Sequence, residues 1–585
     1  TEDEVRKAQN STESRLVLGL QSFGARADFL NANNVESGDP HAYVSDMKKL
    51  FAVTPADVRR VANRYLTPNR IRLDVNPGPP TPRAPEVAVD PKSQAPLPNP
   101  PVVAVKDTFD RAKEPAVGPP PKFTPPAVVR RKLSNGLQVL VAERHDLPIL
   151  SVELVVKGGE TLVPDDRLGL AAMTASLLRE GTDSRDSLKL ASDIGEIGAT
   201  LWAEGQLEES TVGVTTLTEH TPRALEILTD VILHPSFPEA ELKRLKLQRL
   251  AAIRARGDNP TSVASVVYPK LLYGATHPYG RPFGSRFRPN PGNEATVTAI
   301  TRDDVVSFYK RLYSPANASL IVVGDTTPDA ITATLEKALG GWKPGPAAQT
   351  ELPATPPPPK GVTVYLVDKP AAAQSYLAVG EIGVHRRTPD YIPLTVFNAV
   401  LGGQFSSRLN LNLREDKGYS YGAFSSFAFR LGPGPFSAGA AVQTNVTKEA
   451  LAEMVKELTE IVGPRPVTKA ELEFAKDRLI RGFPTEFETT FAVANTLNAL
   501  VLYDLPDDEF TTFTSRVDAV TLDEVNRVGR RYIHPDRLTI LVVGDRSKVE
   551  GPLKTLPFVH VINLLDAEGN PLPTSPAAAG AGAGN

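Results

Sequence analysis

Apolar residues recur along this chain in two rhythms, and the rhythms alternate. Over residues 169–182 (GLAAMTASLLREGT), Leu170, Met173, Leu177 and Leu178 fall at helical spacing, and Gly181 stands where glycine commonly closes a helix. This predicts a buried helix. Upstream, residues 132–142 (KLSNGLQVLVA) read as two strands around an Asn135-Gly136 turn. Residues 151–157 (SVELVVK) read as a third strand, and Gly158-Gly159 follows. Helices are then expected at 188–198, 222–233, 238–256 and 301–312, with strands at 200–204, 209–216 and 318–323. The alternation resumes with strands at 362–368 and 373–380 and a helix at 391–401. Phe405, Leu409 and Leu413 form a helical stripe, and Gly418 ends it. From 419 to 429 the period is two, which places Tyr419, Tyr421, Ala423, Ser425, Phe427 and Phe429 on one face. Strands and helices in this order predict an α+β architecture, a sheet with helices packed on one face.

A helix, a turn with proline and an apolar strand occur together three times. Residues 54–78 read TPADVRRVANRYLTPNRIRLDVNPG, residues 301–325 TRDDVVSFYKRLYSPANASLIVVGD, and residues 521–545 TLDEVNRVGRRYIHPDRLTILVVGD. Each opens on a Thr with an acid three residues on, an approximation to the capping box. Three copies imply three homologous domain ends. The first and third copies share more, because residues 1–78 align without gaps to 468–545 at an offset of 467. Thr1 and Glu4 match Thr468 and Glu471, and Ala25, Ala27 and Leu30 match Ala492, Ala494 and Leu497. Residues 1–78 are therefore expected to be the C-terminal part of a preceding domain, whose front would lie on another polypeptide or on a longer precursor. The remaining division is a Pro-rich linker at 79–127, a domain at 128–345, a linker at 346–360, a second domain at 361–550 and a tail at 551–585.

Composition narrows the function. The 585 residues suffice for roughly three or four domain units. Lys and Arg number 65 against 68 Asp and Glu, a net charge of −3, and no dense basic run is present. This argues against a nucleic-acid binder. There is no cysteine, hence no disulfide, thiolate metal site or Cys nucleophile. No apolar run approaches the ~18 residues of a membrane span, and the charged opening Thr1-Glu2-Asp3-Glu4 is not that of a signal peptide. The 8 His include no pair at i, i+3 or i+4, so no zinc helix of that kind is expected. His277, in the loop His277-Pro278-Tyr279-Gly280, reads as structural rather than as a ligand.

The order strand, Asn-Gly, strand, Gly-Gly, GLA-helix-GT resembles the start of a zinc peptidase domain of the M16 family (pitrilysin, insulinase, mitochondrial processing peptidase). Active members carry His-x-x-Glu-His inside this helix. On that frame the first His falls on Ala172, the Glu on Ala175 and the second His on Ser176. The family's third ligand, a Glu on a later helix, falls within residues 242–257 (LKRLKLQRLAAIRARG), which contain no acid. Zinc needs N, O or S ligands at about 2.0–2.3 Å, and alanine supplies none. The resemblance implies repeated LuxS/MPP-like domains with antiparallel-rich sheets, arranged as half of a clamshell. It also implies that this chain is the non-catalytic half, without a cofactor of its own. The Zn2+ would belong to a partner half bearing His-x-x-Glu-His, on a separate chain or in the N-terminal part of one precursor.

A second frame, Leu413-Arg414-Glu415-x-x-Gly418-x-x-Tyr421, resembles the family's Arg/Tyr pair. Arg414 and Tyr421 are expected to hold substrate and stabilise the transition state in the pair, with Tyr419, Gly418 and Phe405 contacting substrate. Tyr419 is the alternative for the Tyr role. Read without the family frame, Arg414 pairs with Glu415 or Asp416 and Tyr421 is sheet packing. The implied substrates are unfolded peptides, which add as strands to a sheet edge. The implied function is a share in a metalloendopeptidase; the alternative is a proteolytically inactive scaffold or peptide-binding subunit. A bacterial periplasm or envelope is the expected setting.

Overall fold

The computed structural model describes residues 1–76, 78, 110, 113, 118–120, 122–285, 288–348 and 351–572. Most of the expected linker at 79–127, residues 349–350 of the second linker, and the tail from 573 lie outside them. The chain divides into two compact units, one of Thr1–Phe51 with Lys122–Asn585 and one of Ala52–Pro121.

The larger unit opens with α1 (Glu2–Gly19), α2 (Phe23–Ser37) and α3 (Ala42–Phe51). The smaller unit holds α4 (Pro55–Tyr65), which starts at the Thr54 cap: the amide of Asp57 donates to Thr54 Oγ1 at 3.2 Å. The strand expected after α4 does not form; residues 69–76 are irregular, with Ile71 and Leu73 100% and 82% exposed. A strand exists only by pairing, and no strand lies before Val128 among the described residues.

From residue 128 the larger unit has β1 (Val128–Lys132), β2 (Gln138–Glu143), β3 (Ile149–Lys157), α5 (Leu170–Leu178), α6 (Ser187–Glu196), β4 (Thr200–Gly205) and β5 (Glu209–Leu217). Then come α7 (Thr221–Leu233), α8 (Glu239–Arg256), α9 (Pro260–Tyr273), the two-residue strands β6 (Gly284–Ser285) and β7 (Arg288–Pro289), and α10 (Glu294–Ala299). The stretch closes with α11 (Arg302–Leu312), β8 (Ala318–Gly324) and α12 (Pro328–Leu339). The pattern repeats as β9 (Thr363–Asp368), β10 (Gln374–Ile382), α13 (Tyr391–Leu401), α14 (Arg408–Asn410), β11 (Ser420–Phe427), β12 (Pro435–Gln443) and α15 (Thr447–Val462). It ends with α16 (Lys469–Gly482), α17 (Thr490–Leu502), α18 (Phe513–Ala519), α19 (Leu522–Tyr532), β13 (Thr539–Gly544), α20 (Arg546–Leu553) and β14 (Ile562–Leu565).

Two six-stranded sheets result, in the orders β1-β2-β8-β3-β5-β4 and β11-β12-β10-β13-β9-β14. In each, the strand after the repeated helix pairs parallel to an early strand (β8 with β2, β13 with β9) and antiparallel to the long one (β3 or β10). Helices of the same stretch cover one face of each sheet. The second face is covered too, by a helix from the other stretch. Val493, Leu497 and Val501 of α17 pack on Leu140, Val155 and Ile321 of the first sheet. Val263, Val267 and Tyr268 of α9 pack on Ala378, Leu541 and Val543 of the second. Double coverage explains the unbroken apolar runs of β8 and β13, which are buried at every position. The loop at 277–280 fastens the two stretches. Tyr279, 2% exposed, donates its hydroxyl to Glu208 and accepts from the Gly432 amide at 2.9 Å. His277 is buried there as expected of a structural residue, its Nδ1 accepting from the Tyr279 amide at 3.0 Å.

Candidate functional site

α5 is short because it starts at Gly169, held at φ +98°, and it is almost wholly buried. Ala172 and Ala175 are 5% and 0% exposed. Ser176 turns its hydroxyl back on its own helix and donates to Ala172 O at 2.8 Å. The backbone of β4 lies against the helix so closely that a Cβ on Gly205 would overlap Ala171 and Ala172. No family ligand stands at these positions, and zinc does not fit the donors present. Among the described residues no group of three His, Cys, Asp or Glu is placed to hold a metal ion.

A carboxylate and a guanidinium occupy the neighbourhood instead. Glu160, 4% exposed, accepts from the amides of Gly169 and Ala172, each at 3.0 Å, and so caps the start of α5. Burial pushes its pKa up, while those two amides and the charges of Arg249 and Arg281 oppose the shift. Arg249 stands on α8, in the stretch where the family carries its third ligand; burial lowers its pKa and Glu160 opposes that. A half-buried cation thus stands in the stretch where active members carry an acid. Sequence reasoning missed this pair; the only sign of it was an acid directly after Gly158-Gly159 and the absence of acids in 242–257.

The Arg/Tyr frame lies on the second sheet. Arg414 belongs to a turn of π-helical geometry, Leu411–Asp416, that continues α14. Such turns interrupt the regular ladder and re-aim side chains. The chain then reverses at Gly418, whose φ of +65° disfavours any other residue. The amide of Tyr419 donates to Leu413 O at 2.8 Å, which fixes the turn against β11. Arg414 Nη1 donates to the backbone carbonyl of Tyr421 at 3.0 Å, its guanidinium lies 4.7 Å from the centre of the Phe405 ring, and Nε pairs with Glu415 at 3.0 Å. The frame therefore brings Arg414, Phe405 and Tyr421 together, and the Glu415 pair read from the bare sequence is present as well.

The alternation expected over 419–429 fails at one point. β11 carries one extra residue between Ser420 and Ala423, where its partner β12 steps from Val442 to Ala440. The Ser420 hydroxyl fills this bulge, donating to Ala441 O and accepting from the Gly422 amide at 3.0 Å. Ala423, Ser425 and Phe427 point inward, whereas Tyr421 is 89% exposed. Tyr419 is half-buried against the second core, so the two tyrosines do not share a face. β11 is the edge of its sheet. Tyr421, Phe424 (48% exposed) and Phe405 (56% exposed) make that edge aromatic and open. Among the described residues no hydrogen bond or ion pair joins Arg414 or Tyr421 to α5.

Residues 138–276 match the family described as Insulinase (Peptidase family M16), and residues 299–479 match Peptidase M16 inactive domain. An "Uncharacterized zinc protease YmxG" of Bacillus subtilis is 25% identical over 422 residues, covering 71% of this chain and 98% of that protein. A "Non-peptidase homolog YmxG" of Helicobacter pylori is 23% identical over 410 residues, covering 70% of this chain and 92% of its own length. The crystal structure of a peptidase M16 inactive domain from Pseudomonas fluorescens superposes with a TM-score of 0.65 at 25% identity, over 71% of this chain and 97% of that one. No helix among the described residues is long and apolar enough to cross a membrane. With the stripped helix α5, the paired sheets and these matches, the chain belongs to the peptidase M16 family as a member without the His-x-x-Glu-His motif.

Proposed function

We propose that this chain is the non-catalytic half of an M16-type zinc metalloendopeptidase, and that it binds and orients peptide for a partner half that carries the zinc. The observation that carries this reading is the clasp on the edge strand: Arg414 bound to the carbonyl of Tyr421, with the Tyr421 ring free in solvent. An extended peptide can pair with the open edge of β11, and alternate side chains then meet Phe405, Phe424 and Tyr421. Arg414 keeps N–H donors beyond those given to Tyr421 and Glu415, and a tyrosine hydroxyl donates to a carbonyl oxygen. Both groups can therefore hold a peptide carbonyl as charge develops on it. The zinc and the base for water come from the partner, since α5 supplies neither.

The alternative, a scaffold or peptide-binding subunit without proteolysis, is favoured by the name of the H. pylori relative and by the Glu415 pair, which draws on the charge of Arg414. The test is peptide cleavage by the assembly isolated from its source, with Arg414→Ala and Tyr421→Phe introduced separately. We expect each to lower kcat/KM by about 100-fold, the scale of one lost oxyanion donor, with association intact. Unchanged cleavage removes the two residues from the reaction, and absence of cleavage by the parent assembly favours the scaffold. The relatives in B. subtilis and H. pylori support a bacterial setting; fractionation of source cells would check the envelope location.

A further inference from the structure

α8 carries six cations, and one of them stands apart from the rest. Arg244 pairs with Glu180 at 2.6 Å, and Arg254 with Glu294 at 3.1 Å. Lys246 donates to the carbonyls of Thr298 and Ile300, each at 2.7 Å. Arg256 donates to those of Asn290 and Gly292 at 2.8 and 3.1 Å. Lys243 is exposed to solvent. Arg249 is half-buried, yet among the described residues it makes neither a hydrogen bond nor an ion pair. Helical spacing puts it on the same face as the buried Leu242 and Ile253, in a helix that packs on α5.

Glu160, the carboxylate whose charge acts on Arg249, does not take up these donors. Both of its oxygens already accept backbone amides at the start of α5, and Arg249 reaches it through charge alone. Nor is the guanidinium sealed in the core. The orphaned Nε atoms of Arg256 and Arg281 are closed off from water, whereas no nitrogen of Arg249 is. A cation drawn out of bulk water without a partner is costly, and a charge-assisted hydrogen bond offsets that cost. Arg249 therefore has the features of a receptor: a fixed charge, a planar fork of donors with none engaged, and access from outside.

The fork matches a carboxylate in shape. Glu160 sets the valence, because a dianion would bring two negative charges into its field against one free guanidinium. The neighbours of Arg249 one turn away on α8 are apolar, Leu245 half-buried and Ala252 exposed. Such shoulders suit the methylenes of a side chain better than a small hydrated ion. We propose that Arg249 binds a carboxylate carried by a peptide, either an acidic side chain or a free C-terminus. The inference rests on the reading of this chain as a peptide binder and adds a preference for negative charge at one point of the peptide.

The test is fluorescence anisotropy of fluorescein-labelled peptides with the full chain at low salt. Three peptides of one Ala/Thr/Val sequence are compared: one with a central Glu and an amidated C-terminus, its Gln counterpart, and the Gln peptide with a free C-terminal carboxylate. We expect the first or the third to bind about tenfold more tightly than the neutral one, the scale of one hydrogen-bonded charge pair. Whichever does so identifies the source of the carboxylate. Added salt should shrink the preference. Arg249→Met should erase it and leave the Kd of the neutral peptide unchanged. Arg254→Met, which removes an exposed cation of the same helix, should leave the preference in place. Arg249→Lys keeps a charge beside Glu160 and serves where the Met variant does not fold; without the fork, the preference should drop to about threefold or less. Equal binding of all three peptides overturns the inference and leaves the functional proposal standing. So does a preference that survives Arg249→Met, that is whole in Arg249→Lys, or that Arg254→Met removes as well. Binding of none of the peptides sinks both proposals. A preference that depends on Arg249, without cleavage by the parent assembly, sinks only the share in proteolysis.

Discussion

Glu153 stands in the middle of β3, 3% exposed, on the face that α17 covers. Burial pushes its pKa up to about 8, and the charges of Glu209 and Glu204 add to the shift. In the unfolded chain the same carboxyl titrates near 4.5. Between about 4.5 and 8 the folded chain keeps a proton that the unfolded chain releases, so stability falls as pH rises through this window. The slope from this one group approaches ~1.4 kcal/mol per pH unit. Glu153→Gln has no proton to lose. It should match the parent near pH 5 and exceed it at pH 8 by roughly 2 kcal/mol or more, read from urea midpoints at the two pH values. Parallel pH profiles for parent and variant would show that Glu153 is ionised in the fold. Nothing in the bare sequence marks Glu153 as buried, because SVELVVK reads as an ordinary strand with one polar position. The Arg414 and Tyr421 spacing was legible, but the direction of Tyr421 was not: a bulge adds one residue to β11 and reverses the parity on which alternation depends.

At the scale of the element, α5 shows how far the metal position has been rebuilt. Its loss of ligands was legible from three residues. Its new electrostatics was not, because Glu160 and Arg249 are far apart in sequence and come within each other's field only in the folded chain, where α5 packs on α8. The rebuilding predicts the outcome of reversal. Ala172→His, Ala175→Glu and Ser176→His together restore the motif but place a carboxyl at a site that is 0% exposed. The imidazole at 172 must also enter beside the closely packed backbone of β4. Overpacking and a buried charge each cost on the order of 1–3 kcal/mol or more. The third ligand is still absent, and Arg249 repels a cation. The triple variant should therefore be destabilised by several kcal/mol and bind no stoichiometric zinc by elemental analysis after dialysis. One zinc per chain at nanomolar affinity would mean that α5 and α8 retain a usable site. The absent strand after α4 carries the same lesson in reverse, since its apolar pattern is that of a strand and no described strand pairs with it.

In the larger unit as a whole, the repeat of two sheets was legible in the threefold recurrence of a capped helix and its strand, whereas the exchange of helices was not. Periodicity tells which face of a helix is apolar, and it does not tell which sheet that face will cover. α17 follows the second set of strands in sequence yet closes the first sheet, and α9 does the opposite. Each sheet would therefore expose the apolar back of β3 and β8, or of β10 and β13, without the other stretch. The bond of Tyr279 to Glu208 and Gly432 ties the same two parts at a second place. Two sheets that each depend on the other's helix cannot melt separately. Calorimetry of the chain should then show one transition for this unit, with calorimetric and van't Hoff enthalpies equal. Leu497→Ala removes a side chain that is 1% exposed between α17 and the first sheet, and should cost about 2–5 kcal/mol. Because α17 is a shared part, the whole transition should move down together, with hydrogen-exchange protection falling equally in β3 and in β10. A first sheet that melts early while the second keeps its protection would show that the exchange of helices joins two independent domains rather than making one.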